Sequence, residues 1–354
     1  MTSLPRSSAV AKPEKTVPNS LGRLISPGRS LYHSRPYLLR EPDQTRSQPL
    51  TRTQADELLS QMTPKDIAIL TALDSYRYLD SEQISALMLS STRTCQMRLK
   101  SLRESGTIIR WLTIEPPGWK KRQSVLVLAE RGARLLARQA ATPPWPGVRR
   151  ARDAVVYSAQ LSHDLEANGF FIALAIAGAA NPDEGLHQWV GEDSCRRAYR
   201  ERGEDLAPDG WGRYLTSERE ITFLLEWDRA TASPMRISEK ARTYVRHFVG
   251  RSEAAVNNVL FVSPSARREL SVNGAIARAL PTGARPCCRF WTTNVDRLKA
   301  DGHLGAVWTA VDEPGRGTAS LREMGGSLRS DRLAADCIAK PQWWERRLGG
   351  GERE

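Results

Sequence analysis

Three acids and one lysine in the second half of the chain have the types and spacing of a metal-dependent phosphodiester site. Asp209 follows a proline at a predicted strand start, and Glu226 and Asp228 lie on the next predicted strand. Because side chains alternate along a strand, Glu226 and Asp228 share a face, where Asp209 could join them. Clustered carboxylates bind Mg²⁺, which serves phosphodiester chemistry. Lys240, on the following predicted helix, could neutralise a scissile phosphate.

The same residues have a purely structural interpretation, because carboxylates are common at strand ends, where nearby cations pair with them. Three arginines could do so here: Arg213, Arg229 and Arg236. The residue types leave open whether these acids bind a metal or form ion pairs.

Two residues at the start of a predicted helix raise the same question. His163 could ligate a metal or act as a general base, or it could bond the backbone at the helix start. Glu166 could be the helix acid of a nuclease-like site, or a solvated first-turn carboxylate that the helix dipole favours. The sequence leaves both alternatives open.

A helix predicted over residues 91–105 has an apolar face and a basic face. Cys95, Leu99 and Leu102 recur at the 3.6-residue period of a buried helix face. Arginine and lysine can reach phosphates or guanine, and glutamine can pair with adenine in the major groove. The opposite face, which also includes Met97, and its flanks carry the candidate DNA contacts Arg93, Gln96, Arg98, Lys100 and Arg103.

The neighbouring elements predict a winged helix-turn-helix over residues 63–140. Helices are expected from Pro64 and from about Ser81, followed by strands over 108–114 and 124–128 and a closing helix. The turn-rich loop between the strands is the candidate wing, with Lys120, Lys121 and Arg122 as further DNA contacts. The alternative is a small helical domain that binds a protein or a membrane surface.

Residues 155–312 predict a second, α/β domain. Helices are expected near 155–177, 234–248 and 265–280, and strands near 186–191, 205–215, 221–228, 258–263, 288–292 and 306–311. This order indicates a mixed sheet with helices on its faces, so the overall fold class is α+β. The remaining ranges are predicted to be a disordered basic tail (1–58), a Pro-rich linker (141–154) and a flexible tail (313–354).

The amino-acid composition indicates which kinds of partner and which cellular compartment to expect. The 354 residues carry a formal net charge of +12, which favours a polyanion such as DNA. No apolar run approaches the roughly 20 residues of a membrane span, so no membrane contact is expected. The five cysteines show no CxxC pairing, which favours a reducing cytoplasm and argues against structural zinc.

Eight short segments spread over residues 63–312 resemble the replication-relaxation family of plasmids and integrated elements. The resemblance implies a DNA-binding winged helix joined to a domain like the PD-(D/E)xK nucleases. The segments are residues 63–70, 76–79, 82–84, 98–102, 128–133, 163–168, 208–210 and 225–231, and those from 208 onward are the most specific.

By position, the resemblance makes Asp209 and Glu226 the two acids of the nuclease motif and the candidate metal ligands. The position of the motif's lysine holds Asp228, and Lys240 on the next helix is a candidate substitute. This departure favours a nuclease-like scaffold without rapid cleavage, with Mg²⁺ as the only candidate cofactor.

The sequence therefore predicts a cytoplasmic protein that binds double-stranded DNA and acts in replication initiation or DNA relaxation. Two alternatives stay open: a metal-dependent nuclease or nickase, and a winged-helix transcriptional regulator. Replication or mobilisation proteins and a second copy of the chain are candidate partners.

Overall fold

Side-chain caps set the helix boundaries in the first half of the chain. Thr63 accepts a hydrogen bond from the backbone N–H of Asp66, whose carboxylate accepts from the N–H of Thr63 in return. Asp80 and Gln83 form the same reciprocal box at the next helix. The elements of this half are β1 (Leu38–Arg40), α1 (Arg52–Gln61), α2 (Pro64–Tyr76), β2 (Leu79–Asp80), α3 (Ser81–Leu87), α4 (Thr92–Glu104), β3 (Ile108–Ile114), β4 (Ser124–Leu128) and α5 (Glu130–Gln139).

The computed structural model describes residues 38–40, 50–88, 91–114, 124–140, 161–249, 257–280, 287–313, 315–328 and 337–338. In the first half an antiparallel sheet has the strand order β1-β3-β4-β2. The buried face of α4 consists of Cys95, Leu99 and Leu102, as predicted.

The second half alternates helices with strands. Its elements are α6 (Leu161–Ala179), β5 (Gly185–Gly191), α7 (Glu192–Glu201), β6 (Gly210–Leu215), β7 (Arg219–Trp227), α8 (Pro234–Phe248), β8 (Asn257–Ser263), α9 (Ala266–Ala277), β9 (Cys288–Asn294), α10 (Val295–Asp301), β10 (Trp308–Ala310), β11 (Thr318–Ala319), a 3₁₀ turn (Leu321–Glu323) and β12 (Ser327–Leu328).

These strands form one mixed sheet in the order β11-β10-β9-β8-β7-β6-β5, with β12 also paired to β7. The β7–β8 and β8–β9 pairs are parallel, and the other pairs are antiparallel. On central β7, Phe223 and Leu225 pack in the same cluster as α6, whereas Leu224 packs with α8 and α9. The sheet is thus covered by helices on both faces, and the α+β class is confirmed.

Several elements differ from the prediction. Sequence patterns missed α7, whose ten residues include only one buried side chain, Cys195. Residues 315–328, predicted to be part of a flexible tail, form β11 and β12 and bury Leu321 and Met324. Within the predicted N-terminal tail, residues 38–40 pair with β3. The predicted linker, 141–154, lies outside the described residues.

The two halves share a hydrophobic core. The Tyr76 ring at the end of α2 stacks on Trp189 of β5, with 3.4 Å between centroids. Asn168 Nδ2 of α6 donates to the carbonyls of Tyr76 (3.0 Å) and Tyr78 (2.8 Å). Gln83 Nε2 of α3 donates to the carbonyl of Leu165 at 2.9 Å. The end of α2 and the start of α6 are therefore held together by both packing and hydrogen bonds.

Candidate functional site

Glu226, near the end of β7, is the centre of a buried polar cluster. It is 3 % exposed, and its two carboxylate oxygens accept hydrogen bonds from Lys240 Nζ and the Tyr244 hydroxyl. Lys240 and Tyr244 are four residues apart on α8, so both reach the same side of the sheet. Burial raises the pKa of Glu226 to about 7; the Asp209 charge adds to this rise, and the Lys240 charge opposes it.

Asp209 lies beside this cluster, just before β6. Gly210 pairs with Leu225, which brings Asp209 level with the end of β7. Asp209 Oδ2 accepts from the backbone N–H of Trp227 at 2.7 Å and lies 3.1 Å from His163 Nε2. Burial alone would raise the pKa of Asp209, but the charges of His163 and Lys240 hold it below its ordinary value.

Asp228 pairs with an arginine of α9 and not with the residues around Glu226. Its carboxylate receives two hydrogen bonds from Arg268 of α9, at 2.5 and 3.0 Å, and Arg268 also donates to the Ala232 carbonyl. Of the arginines that the sequence offered as partners, Arg213 pairs with Glu220 and Arg229 lies 3.7 Å from Glu166. The structure therefore brings together Asp209, Glu226 and Lys240, while Asp228 forms a separate ion pair.

His163 and Glu166 anchor α6 to the end of β7. His163 Nε2 lies 3.1 Å from the Trp227 carbonyl, so this side chain contacts a strand that is distant in sequence. Burial alone would lower the pKa of His163, but the Asp209 and Asp164 carboxylates outweigh it and raise that pKa to about 10. Glu166 is 3 % exposed and accepts from Trp227 Nε1 at 2.8 Å, so it is not the solvated carboxylate of the alternative interpretation.

The outward face of α4 presents the other candidate residues. Arg93, Gln96, Met97 and Lys100 are exposed there. Arg98, on the flank, lies 3.2 Å from the buried carboxylate of Asp66. Arg103 is half-buried. The remaining candidates, Lys120, Lys121 and Arg122, lie outside the described residues.

Comparison with known proteins assigns the family. A model described as replication-relaxation matches residues 70–261, more than half of the chain. The chain belongs to the replication-relaxation family. No curated protein and no solved structure matches it. Within the described ranges, none of the helices of this replication-relaxation protein combines the length and the hydropathy needed to cross a bilayer.

The replication-relaxation match contains both candidate regions, because it extends from Leu70 in α2 to Phe261 in β8. Arg268, which holds Asp228, lies beyond it. Sequence reasoning missed Arg268 and Tyr244 because neither belongs to a recognisable motif. For Tyr244, helical spacing from Lys240 was the available signal.

Proposed function

We propose that this replication-relaxation protein binds duplex DNA of a plasmid or integrated element through α4 and acts in replication initiation or DNA relaxation. The main support for this proposal is the exposed face of α4. Arg93, Gln96 and Lys100 lie on that face, and Cys95 and Leu99 on the opposite face are buried in the core. Such a face combines phosphate contacts with an amide able to read adenine.

The order of elements in the first half supports a winged-helix interpretation of this surface. Helices α2, α3 and α4 are followed by the antiparallel pair β3–β4, and α3 packs against α4 in the shared core. In helix-turn-helix proteins the second helix of the motif enters the major groove. We assign that role to α4.

Binding to a labelled duplex over a series of salt concentrations tests the proposal. Replacing Arg93 and Lys100 by alanine should weaken binding and reduce the salt slope by about 0.9 for each lost phosphate contact. The matched control is Arg267→Ala with Lys299→Ala, which removes two exposed cations from the second half. Equal affinity and slope in wild type and the α4 variant would exclude α4 as the DNA-binding surface.

Gln96→Ala separates sequence reading from general affinity. Selection from a randomised duplex library should show a changed base preference for this variant, with a loss of about 1–3 kcal/mol at the preferred base. An unchanged motif would remove Gln96 from the set of reading residues. A regulator that binds DNA without a replication role would pass both tests but would not support replication of a plasmid carrying its site.

Metal-dependent cleavage is the second candidate function, and the approach of Lys240 to Glu226 beside Asp209 favours it. In a nuclease-like site Asp209 and Glu226 would hold Mg²⁺, which would polarise the phosphate and activate water. Glu226 already accepts from Lys240 and Tyr244, so Mg²⁺ would compete with two donors.

We expect supercoiled plasmid to be nicked slowly or not at all with Mg²⁺; rapid nicking that Asp209→Asn abolishes would establish an active nuclease.

A further inference from the structure

A small cavity lies where the two halves meet. The end of α2 contributes Arg77 to its wall, α6 contributes Asp164, and α7 contributes Glu192 and Asp193. Asp209 lines the cavity as well, on the opposite side of His163 from Asp164. The wall is thus rich in carboxylates contributed by three separate segments of the second half.

Three side chains here have the mutual spacing of metal ligands. His163, Asp164 and Glu192 each offer a ligand atom, and these atoms all lie within 4.8 Å of one another. His163 Nδ1 is 3.9 Å from Asp164 Oδ1. Since two ligands of one ion lie at most about 4.4 Å apart, an ion between the three would draw these side chains slightly together.

Asp164 supplies an independent reason to expect a cation. Its side chain is only 8 % exposed, and neither carboxylate oxygen accepts a hydrogen bond from any described residue. The nearest guanidinium, that of Arg77, is 3.6 Å away and is shared with Asp193 at 3.3 Å. Arg77 and the His163 imidazole, which lies 3.9 Å away, meet the Asp164 charge only at these longer distances. A coordinated cation would satisfy this buried carboxylate more directly.

The orientation of His163 suits coordination. Its Nε2 faces Asp209 Oδ2 and the Trp227 carbonyl, both at 3.1 Å, so Nε2 carries the proton that is donated there. Nδ1 then points toward Asp164. A histidine that ligates a metal through one nitrogen and donates from the other to a carboxylate is the usual arrangement in metal sites.

We propose that His163 Nδ1, Asp164 and Glu192 bind a divalent transition-metal ion of the manganese or zinc class, with Asp209 orienting the imidazole. The imidazole ligand favours these ions over Mg²⁺ and Ca²⁺, which prefer oxygen ligands alone. The ion replaces the Nδ1 proton and shares the Glu192 carboxylate with Arg196, whose guanidinium is 41 % exposed. The three ligands of this site lie outside the Asp209–Glu226–Lys240 cluster, which the site contacts through Asp209 and His163, and the site does not depend on DNA binding by α4.

Metal titration of the full-length protein tests the site. After treatment with a chelator and dialysis, wild type should bind one equivalent of Mn²⁺ or Zn²⁺ by calorimetry and elemental analysis, and Mg²⁺ at least tenfold more weakly. Asp164→Asn and Glu192→Gln should each lower the affinity at least tenfold. The matched control is Glu201→Gln, which removes an exposed acid at the other end of α7.

His163→Gln is the decisive variant if the other two fail to fold. The glutamine amide can still donate toward Asp209 but offers no imidazole, so the visible absorption spectrum of bound Co²⁺ should change or be lost. Glu226→Gln should leave the ion bound, which separates this site from the Glu226 cluster. The proposal is wrong if wild type binds no stoichiometric Mn²⁺ or Zn²⁺, or if His163→Gln binds them as tightly as wild type does with an unchanged Co²⁺ spectrum. DNA binding, measured on the same samples, tests the proposed function separately.

Discussion

Each of the candidate acids has a cation that comes from a different element. Asp209 faces His163 of α6, Glu226 accepts from Lys240 of α8, and Asp228 is held by Arg268 of α9. Sequence alone predicted the acids and Lys240 because strand alternation and helix order are local patterns. It could not predict His163 or Arg268 as partners, because those contacts depend on how distant helices pack against the sheet.

Lys240→Met should destabilise the protein most strongly at alkaline pH. The substitution leaves the Glu226 carboxylate buried without its cation, which should reduce the free energy of unfolding by about 2 kcal/mol. This loss is smaller than that for a fully buried ion pair, because the Lys240 side chain is partly exposed. Because the pKa of Glu226 is already raised to about 7, protonation relieves the penalty as the pH falls below this value. Denaturant unfolding at pH 6 and pH 8 measures the difference. Adding Glu226→Gln should restore most of the stability; failure to do so would show that Lys240 acts mainly through packing.

His303 should make the protein acid-sensitive. Burial lowers its pKa to about 4, well below the ordinary value, and its ring lies 5.4 Å from that of Phe170. Between about pH 6.5 and pH 4 the unfolded chain binds a proton that the folded chain does not, so stability is full above this window and falls with decreasing pH. The slope should reach at most about 1.4 kcal/mol per pH unit. In His303→Gln this part of the slope should vanish; identical pH profiles for wild type and variant would contradict the assignment.

At the level of elements, prediction succeeded where capping and periodicity were strong. The start of α8 follows from Ser233 as cap and Pro234 at the first position, and the apolar run of β7 marked a central strand. It failed for α7, which is almost wholly polar, and for β11 and β12, which are two residues each. Such short or polar elements are specified by contacts with the sheet rather than by their own pattern.

Asp66 should stabilise the junction of α2 and α4. Its Oδ2 accepts from the Thr63 N–H and hydroxyl, at 2.9 and 2.7 Å, and from Arg98 at 3.2 Å. Asp66→Ala removes the carboxylate half of the capping box, while Thr63 stays as the cap, and leaves Arg98 without this partner. Unfolding should therefore be easier by about 1–2 kcal/mol. Glu57→Ala, at an exposed position of α1, is the control. If Asp66→Ala changed the DNA affinity but not the stability, Arg98 would belong to the DNA surface instead.

At the scale of the whole molecule, the two halves pack as one unit. A single hydrophobic cluster includes Leu70 and Leu99 of the first half together with Phe171 and Leu225 of the second. The sequence predicted two domains from the chain length and from the proline-rich stretch taken as a linker. Hydrophobic periodicity could not reveal the shared core, because it reports which face of an element is buried and not what covers that face. Arg77 pairs with Asp164 of the proposed metal site and lies just before the segment that leads to α3 and α4. Binding of an ion at that site would therefore alter a contact of this segment.

This shared core predicts one cooperative unfolding transition. Asn168 lies in α6, but both of its donated hydrogen bonds, 3.0 and 2.8 Å long, go to carbonyls of the first half. Asn168→Ala removes both hydrogen bonds, although the Tyr76 carbonyl keeps a further donor, the Tyr78 N–H at 2.7 Å. This loss should cost about 2 kcal/mol and lower the melting temperature by roughly 5 °C. The control is Asn181→Ala, which makes the same change at an exposed position in the second half. Differential scanning calorimetry should show a single peak in all three proteins, displaced only in Asn168→Ala. Two peaks in wild type, or displacement of one peak out of two in the variant, would show that the halves fold independently and that their contact contributes little to stability.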